Sequence, residues 1–177
     1  GATYSNSTAL GYAAQPTASN QVMIGGTGVT QITSPLGDFT FTSDGRFKKE
    51  IKENVPGLEF ITKLRPITFH WDMAKMNSFL HTPASARSKE AEAERSRIQQ
   101  TGFIAQEMEI AAKEAGYDFS AVAKPQNAND YYKLDYAKLT VPLVKAVQEL
   151  NAKIEDQQKE IAALRAEIQS FKKLGKN

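Results

Sequence analysis

The sequence LVKAVQELNAKIEDQQKEIAALRAEIQSF, from Leu143 to Phe171, determines the architecture predicted for this chain. Its apolar side chains recur in alternating steps of four and three residues through four heptads, which is the period of a coiled coil. The seam consists of Leu143, Val147, Leu150, Ile154, Gln157, Ile161, Leu164, Ile168 and Phe171. On a lone helix each large side chain would forgo about 1.5–3 kcal/mol of burial, so we predict that residues 139–174 join copies of the chain.

The heptads alone leave the number of strands open. β-Branched residues alternate with leucines along most of the seam, a pattern that favours two strands in parallel coils. Gln157 stands at a core position, where a polar residue costs stability and is usually kept to fix register or strand number. A helix whose seam packs on its own domain is the alternative, although a sustained heptad period is typical of supercoiled helices.

A second stretch, TSDGRFKKEI from Thr42 to Ile51, carries potential chemistry. It places the Ser43 hydroxyl and the Lys48 amine five residues apart beside a Ser-Asp-Gly turn signal. A neutral lysine amine can take a serine proton, and the activated oxygen can then attack a nearby carbonyl. Because the nearest carbonyl is that of Thr42, the spacing predicts self-cleavage between Thr42 and Ser43. An ordinary turn followed by surface lysines is the other reading of these residues.

This stretch also resembles the opening signature of the intramolecular chaperone auto-processing domain of phage tailspikes, endosialidases and tail fibres. Further segments are similar to that family in the same order: LRPITF at 64–69, GFIAQE at 102–107, YKLDY at 132–136 and LVKAVQEL at 143–150. The resemblance spans about residues 43–171. Together with the seam, it implies an α+β fold in an elongated homotrimer, with an intertwined β segment, a small mixed body and a parallel coiled coil.

Carried over residue by residue, the resemblance implies that Ser43 is the nucleophile and Lys48 the general base. The cut would fall between Thr42 and Ser43, while Asp44 and Arg46 match motif positions with a structural role. Lys48 must spend time neutral to act as a base, which requires a desolvated site or a neighbouring positive charge. Burial between the chains of a trimer would supply the desolvation.

Residues 1–42 have the composition of short strands between turns, rich in Gly, Ser, Thr and Asn. The sequence ALGYAA at 9–14, followed by NQVMIG at 20–25, is similar to repeats of trimeric surface-adhesin heads and fibre shafts. We therefore expect residues 1–42 to be the end of a trimeric β shaft, with strands at 22–24 and 39–41. A flexible linker is the alternative. The start at Gly1 without Met predicts that the natural chain extends upstream.

Residues 43–138 read as a mixed α/β body. Its predicted elements are a short helix over 58–64, a strand over 67–72, and a strand that turns into a helix over 103–112. Pro66 and Gly116 are the expected stops of the two helices. Residues 84–100 hold almost no large apolar side chain, so we expect an exposed insertion, a loop or a solvated helix, whose charges form a solvated face rather than a binding site.

Three polar residues of this body are weaker candidates for the site. Gln106 and Glu107 fall at the junction of the predicted strand and helix, where they could orient Lys48 or bind an oxyanion, but helix capping is the favoured explanation. His70 faces away from the apolar residues of its strand and has no fixed spacing to Ser43. An ordinary strand histidine is therefore favoured over a catalytic base.

Composition excludes several classes of function. The net charge is +2, from 22 basic and 20 acidic residues, so no strong field points to nucleic acid. With no cysteine and two histidines, we expect neither a metal site nor a cofactor. No apolar run approaches the roughly 20 residues of a membrane span. The expected partners are two further copies of the chain and the upstream fibre segment of the same chain, as the chaperone's client.

The function predicted from these features is a C-terminal intramolecular chaperone that trimerises a tailspike-like fibre, sets its register and then cuts itself away. A non-cleaving trimerisation cap retained on a fibre or adhesin is the alternative, and a hydrolase acting on other molecules would need a richer pocket. The resemblance implies assembly in the bacterial cytoplasm and a place on a virion tail fibre, an extracellular injection system or a cell-surface fibre.

Overall fold

The computed structural model describes residues 3–29, 31–33 and 41–174. Within these ranges six short strands form: β1 (Thr8–Leu10), β2 (Val22–Ile24), β3 (Ile67–Phe69), β4 (Gln100–Gly102), β5 (Val122–Ala123) and β6 (Lys133–Leu134). The same ranges hold five α-helices: α1 (Leu58–Ile61), α2 (Met73–Phe79), α3 (Lys89–Arg97), α4 (Ala105–Glu114) and α5 (Thr140–Leu174). This mixture of helices and small sheets agrees with the predicted α+β class.

The chain divides into two compact units, each assembled from separate segments. The first unit comprises Gly1–Ile51, Arg65–Glu107 and Val122–Leu134, and the second comprises Lys52–Leu64, Met108–Ala121 and Asp135–Asn177. None of the helices in the described part of the chain has the length and apolar content needed to cross a membrane.

A parallel strand pair opens the first unit. β1 pairs with β2 with Thr8 opposite Val22 and Leu10 opposite Ile24, so the chain returns to the same place after one coil. The coil repeats at its corner, where Asn6 and Asn20, 14 positions apart, join side-chain amides at 2.8 Å. Both asparagines have positive φ, +50° and +59°, a conformation that their short polar side chains tolerate. The predicted strand at 22–24 is confirmed, and most of the one at 39–41 lies outside the described residues.

The strand predicted over 67–72 is shorter than expected. β3 ends at Phe69 in an antiparallel pair with β4, and the Asp72 carboxylate accepts a hydrogen bond from the Lys75 amide at 2.9 Å. This cap begins α2, a helix that the sequence interpretation missed. Trp71 keeps its predicted neighbour, since its ring meets that of Phe69 edge to face with centroids 5.1 Å apart.

No residue over 84–100, the range that includes α3, is buried, as expected, although seven of the seventeen are half-buried. The helix begins after Ser88, whose hydroxyl accepts a hydrogen bond from the Ala91 amide at 3.2 Å. One charged side chain of α3, that of Arg95, contacts another segment of the chain. The Arg95 guanidinium donates hydrogen bonds to the carbonyl oxygens of Thr27 at 3.0 Å and Val29 at 2.9 Å, contrary to the expectation for this segment.

An aromatic cluster forms the core of the second unit. The buried Phe60 ring on α1 meets the rings of Tyr117 and Phe119 edge to face, with centroid distances of 5.4 and 5.1 Å. Gly116 has φ of +62° just after α4 and ends that helix as predicted. The short helix expected over 58–64 is also present, although α1 ends at Ile61.

The long helix α5 buries one face of its first turns within the second unit. Pro142 and Ala146 are buried there, and the Glu149 carboxylate accepts a hydrogen bond from the Leu58 amide at 2.7 Å, at the start of α1. The seam lies on another face. Its apolar members are 45% exposed at Leu143 and up to 70% exposed at Phe171, and Gln157 is exposed as well. Within one chain, therefore, α5 does not bury its seam on its own unit.

Candidate functional site

The turn that carries Ser43 and Lys48 is built by Asp44. The Asp44 carboxylate accepts a hydrogen bond from the Arg46 amide at 2.9 Å and so caps a single 3₁₀ turn over Gly45–Phe47. The turn is closed by the Lys48 amide, which donates to the Gly45 carbonyl at 3.1 Å. Because the chain reverses here, residues five positions apart face each other.

The Lys48 Nζ donates a hydrogen bond to the Ser43 Oγ at 2.9 Å. The structure therefore brings together the two side chains that the sequence names as nucleophile and base. Both are exposed to solvent, as is Thr42, whose carbonyl carbon lies in the peptide bond directly before Ser43. A base must lie within hydrogen-bond reach of the proton it takes, and this pair meets that requirement.

An ion pair between Asp44 and Arg46 lies in the same turn as this pair. The Arg46 guanidinium bonds the Asp44 carboxylate, with Nη2 at 2.6 Å and Nε at 3.0 Å from Oδ2. The Arg46 side chain, followed by its backbone amide, lowers the pKa of Asp44, and the carboxylate in turn raises the pKa of Arg46. Because Asp44 pairs with it, Arg46 offers Lys48 little net positive field.

Gln106 and Glu107 lie in the first turn of α4, at the predicted junction of strand and helix. The Glu107 carboxylate is held by Arg65, whose Nε lies 3.0 Å from Oε2, and this hydrogen bond raises the pKa of Arg65. Among the described residues, no hydrogen bond joins Gln106 or Glu107 to Ser43 or Lys48. His70 likewise has a partner of its own, since its Nδ1 lies 3.1 Å from the Ser96 carbonyl oxygen.

Three large apolar side chains that were not among the predicted site residues lie near the Ser43–Lys48 pair in sequence. Phe41, Phe47 and Ile51 are 78%, 75% and 76% exposed. Large exposed apolar side chains are a feature of surfaces that contact other molecules when they form a contiguous patch. The signal was present in TSDGRFKKEI, where Phe47 and Ile51 flank the lysine.

A buried carboxylate with a strongly lowered pKa lies elsewhere in the first unit. Asp130 is 4% exposed, and burial alone would raise its pKa. Hydrogen bonds from the Lys133 ammonium, the Thr17 hydroxyl and the Gln126 amide outweigh burial and lower the pKa to about 2. No local sequence pattern predicts this site, because Thr17 and Asp130 are 113 positions apart.

A metal centre has no support in the described ranges, where His, Asp and Glu side chains nowhere gather in a group of three or more.

The comparison with protein families gives a match. The family model described as chaperone of endosialidase matches residues 43–117. The match begins at the serine of the Ser43–Lys48 pair and ends just after Gly116. No curated protein matches the chain.

Proposed function

We propose that this chain is a trimerising intramolecular chaperone that cuts itself from the fibre it assembles, because residues 43–117 match the family model described as chaperone of endosialidase. The family supports the chaperone role and a context of phage tail-fibre assembly. Trimerisation through α5 and a cut between Thr42 and Ser43 are the specific parts of the proposal. The finished fibre would belong to a phage tail or a related injection-system or cell-surface fibre.

The contact between the Lys48 Nζ and the Ser43 Oγ carries the cleavage proposal. A neutral Lys48 takes the hydroxyl proton while Oγ attacks the Thr42 carbonyl carbon. The Thr42–Ser43 C–N bond then breaks, Lys48 returns the proton to the departing Ser43 nitrogen, and an ester joins Thr42 to Oγ. Water hydrolyses that ester, which leaves a Thr42 carboxylate and a Ser43 with free amine and hydroxyl.

The unburied seam of α5 supports association of several chains. Its apolar side chains remain about half exposed, while the first turns of the same helix bury a different face. Three chains are proposed, rather than the two that the heptads favour, because the resemblances of both the body and residues 9–25 imply trimers. Joining three chains first would turn the slow, non-local pairing of an intertwined β shaft into a local search.

Exposure of the Ser43–Lys48 pair supports a link between cutting and assembly. In one chain the Lys48 side chain is exposed to water, which solvates a charged ammonium well. A neighbouring chain that covers Phe41, Phe47 and Ile51 would bury apolar surface and remove water from the lysine. The assembled state would then favour the neutral amine, so the cut follows trimer formation.

The decisive experiment is mass spectrometry of the purified chain with denaturing electrophoresis. We expect a fragment that begins at Ser43 and is lost in Ser43→Ala. An intact chain in every sample, under conditions where the protein is trimeric, would refute self-cleavage. It would favour the second candidate, a non-cleaving trimerisation cap, for which the solvent exposure of the pair is the favouring observation.

A further inference from the structure

Residues on the two sides of the proposed cut make several polar contacts inside the first unit. The upstream residues lie between Tyr12 and Val29, and their partners lie between Asn77 and Asp130. Besides those of Arg95, the hydrogen bonds are Tyr12 Oη to the Ser85 carbonyl at 2.9 Å, Thr27 Oγ1 to Asn77 Oδ1 at 2.6 Å, Thr17 Oγ1 to Asp130 Oδ1 at 2.6 Å, and Asn127 Nδ2 to the Thr17 carbonyl at 2.9 Å. Breaking one peptide bond at Ser43 leaves all of them intact.

Arg95 binds the upstream segment through its backbone. One guanidinium nitrogen reaches the carbonyl oxygens of Thr27 and Val29, and the guanidinium carbon lies 5.9 Å from the centre of the Trp71 ring. A planar guanidinium suits both contacts at once, whereas an ammonium does not. Recognition of main-chain carbonyls depends on the path of the coil more than on its side chains.

The Asp130 site holds the preceding corner of the same coil. Thr17 is 5% and Asp130 4% exposed, so their hydrogen bond is shielded from water. The Lys133 ammonium and the Gln126 amide satisfy the rest of the carboxylate, which keeps it ionised and a strong acceptor for the Thr17 hydroxyl. A shielded, charge-assisted bond of this kind is among the stronger single contacts a surface can offer.

Apolar packing between the two sides is incomplete. A cavity of about 840 Å³ lies between them, lined by Ile24 and Ile32 upstream and by Trp71, Met76 and Tyr131 downstream. A gap of this size forfeits much of the contact that a close-packed core would give. The polar contacts above therefore supply specific attachment where apolar packing leaves this space open.

We infer that α3 and residues 126–133 form a docking surface for the last coil of the upstream β segment, and that this surface retains the 1–42 piece after the cut. The retention half rests on the proposed self-cleavage, whereas the docking half concerns the uncut chain too. Cutting and separation are then two events, and the finished fibre leaves only when the Arg95 and Asp130 contacts break.

The docking half is tested in the uncut Ser43→Ala chain by hydrogen exchange of the amides that hold the coil, such as Thr8 and Gly25. Arg95→Met removes the two carbonyl contacts, and exchange of these amides should rise about tenfold. Arg97→Met is the matched control, because Arg97 lies on the same helix and its 75% exposed side chain pairs only with Glu94 among the described residues. Equal exchange in the two variants, with α5 protection unchanged in both, would overturn the docking surface.

The retention half is tested on the wild-type chain after cutting, by size-exclusion chromatography in neutral buffer. The wild-type 1–42 and 43–177 pieces should elute together. In the double variant Thr17→Val with Arg95→Met the smaller piece should separate. Thr17→Val removes one hydroxyl at nearly constant volume. Immediate separation of wild-type pieces would overturn retention. If no cut occurs, retention fails together with the proposed function, and the exchange experiment still decides the docking surface.

Discussion

The Nζ of Lys48 lies 2.9 Å from the Oγ of Ser43, and neither side chain is buried. The contact is a local product of one capped turn, so a single chain suffices to form it. The chemistry also requires an environment that removes water from the lysine, because only a neutral amine can accept the serine proton. The capped turn therefore supplies the contact between the two side chains but does not remove water from the lysine.

Lys48 should be needed for the cut in a way that its neighbour Lys49 is not. Lys48→Ala removes the base, and Lys48→Arg supplies a side chain that does not lose its proton, so both should leave the chain intact on a denaturing gel. Lys49→Ala should cut at the wild-type rate. Cutting by Lys48→Arg would show that a different group accepts the Ser43 proton.

Charge placed in the seam should abolish both assembly and cutting. Leu150→Glu with Ile154→Glu puts like charges at adjacent core positions of every chain, which disfavours the coil strongly. We expect single chains in sedimentation velocity and an uncut band. Gln158→Glu is the control, since this residue is outside the seam. Efficient cutting by the monomeric double variant would separate cleavage from assembly.

Gln157 should determine strand number or register more than stability. Replacement by Ile removes a polar side chain from the proposed core, so the melting temperature should rise, and the uniformity of the assembly should fall. Light scattering of Gln157→Ile should reveal either a mixture of sizes or a changed one. A single unchanged size with a lower melting temperature would place Gln157 outside the core.

Gly57 should tolerate no side chain. A Cβ there would lie 2.6 Å from the Glu149 Oε2 and 2.7 Å from the Ala146 amide nitrogen, whose backbone cannot yield without moving α5. Gly57→Ala should therefore cost about 1–3 kcal/mol in the free energy of unfolding measured with urea. Gly28→Ala, where a Cβ meets open space, serves as the control. Equal stabilities would contradict the close approach of α1 and α5.

The free energy of unfolding should depend on pH through Asp130. The pKa of Asp130 falls from the usual 3.8 to about 2 on folding. At pH values above the usual pKa, the ionised carboxylate therefore stabilises the folded chain by about 2 kcal/mol. That gain is lost as the pH falls from about 4 through about 2, where the carboxylate takes up a proton even when folded. Urea midpoints of wild type and Asp130→Asn should converge over this range. A constant gap would mean that the carboxylate is not the source of the gain.

Local patterns predicted the elements that depend on neighbours in sequence. The heptad period predicted a long helix over the seam, Gly116 marked the end of α4, and the turn residues Asp44 and Gly45 brought Ser43 and Lys48 together. Each of these depends on spacing within one or two turns of chain, which a sequence displays directly.

Other features depend on contacts that no periodicity encodes. The bond between Thr17 and Asp130 joins positions 113 residues apart, and the packing face of α5 is set by the small Ala146 lying against Gly57. The helix after Asp72 was missed because alternation from Ile67 to Trp71 outweighed a readable capping signal. The prediction of residues 1–42, 43–138 and 139–174 as shaft, body and coil, with 84–100 as an insertion, stays a prediction.

The claim that several chains join through α5 is tested most directly by sedimentation of the Ser43→Ala chain, which stays whole. The account predicts one folded species with three times the chain mass of 19.5 kDa at micromolar concentration. A stable, folded species of 19.5 kDa would contradict it.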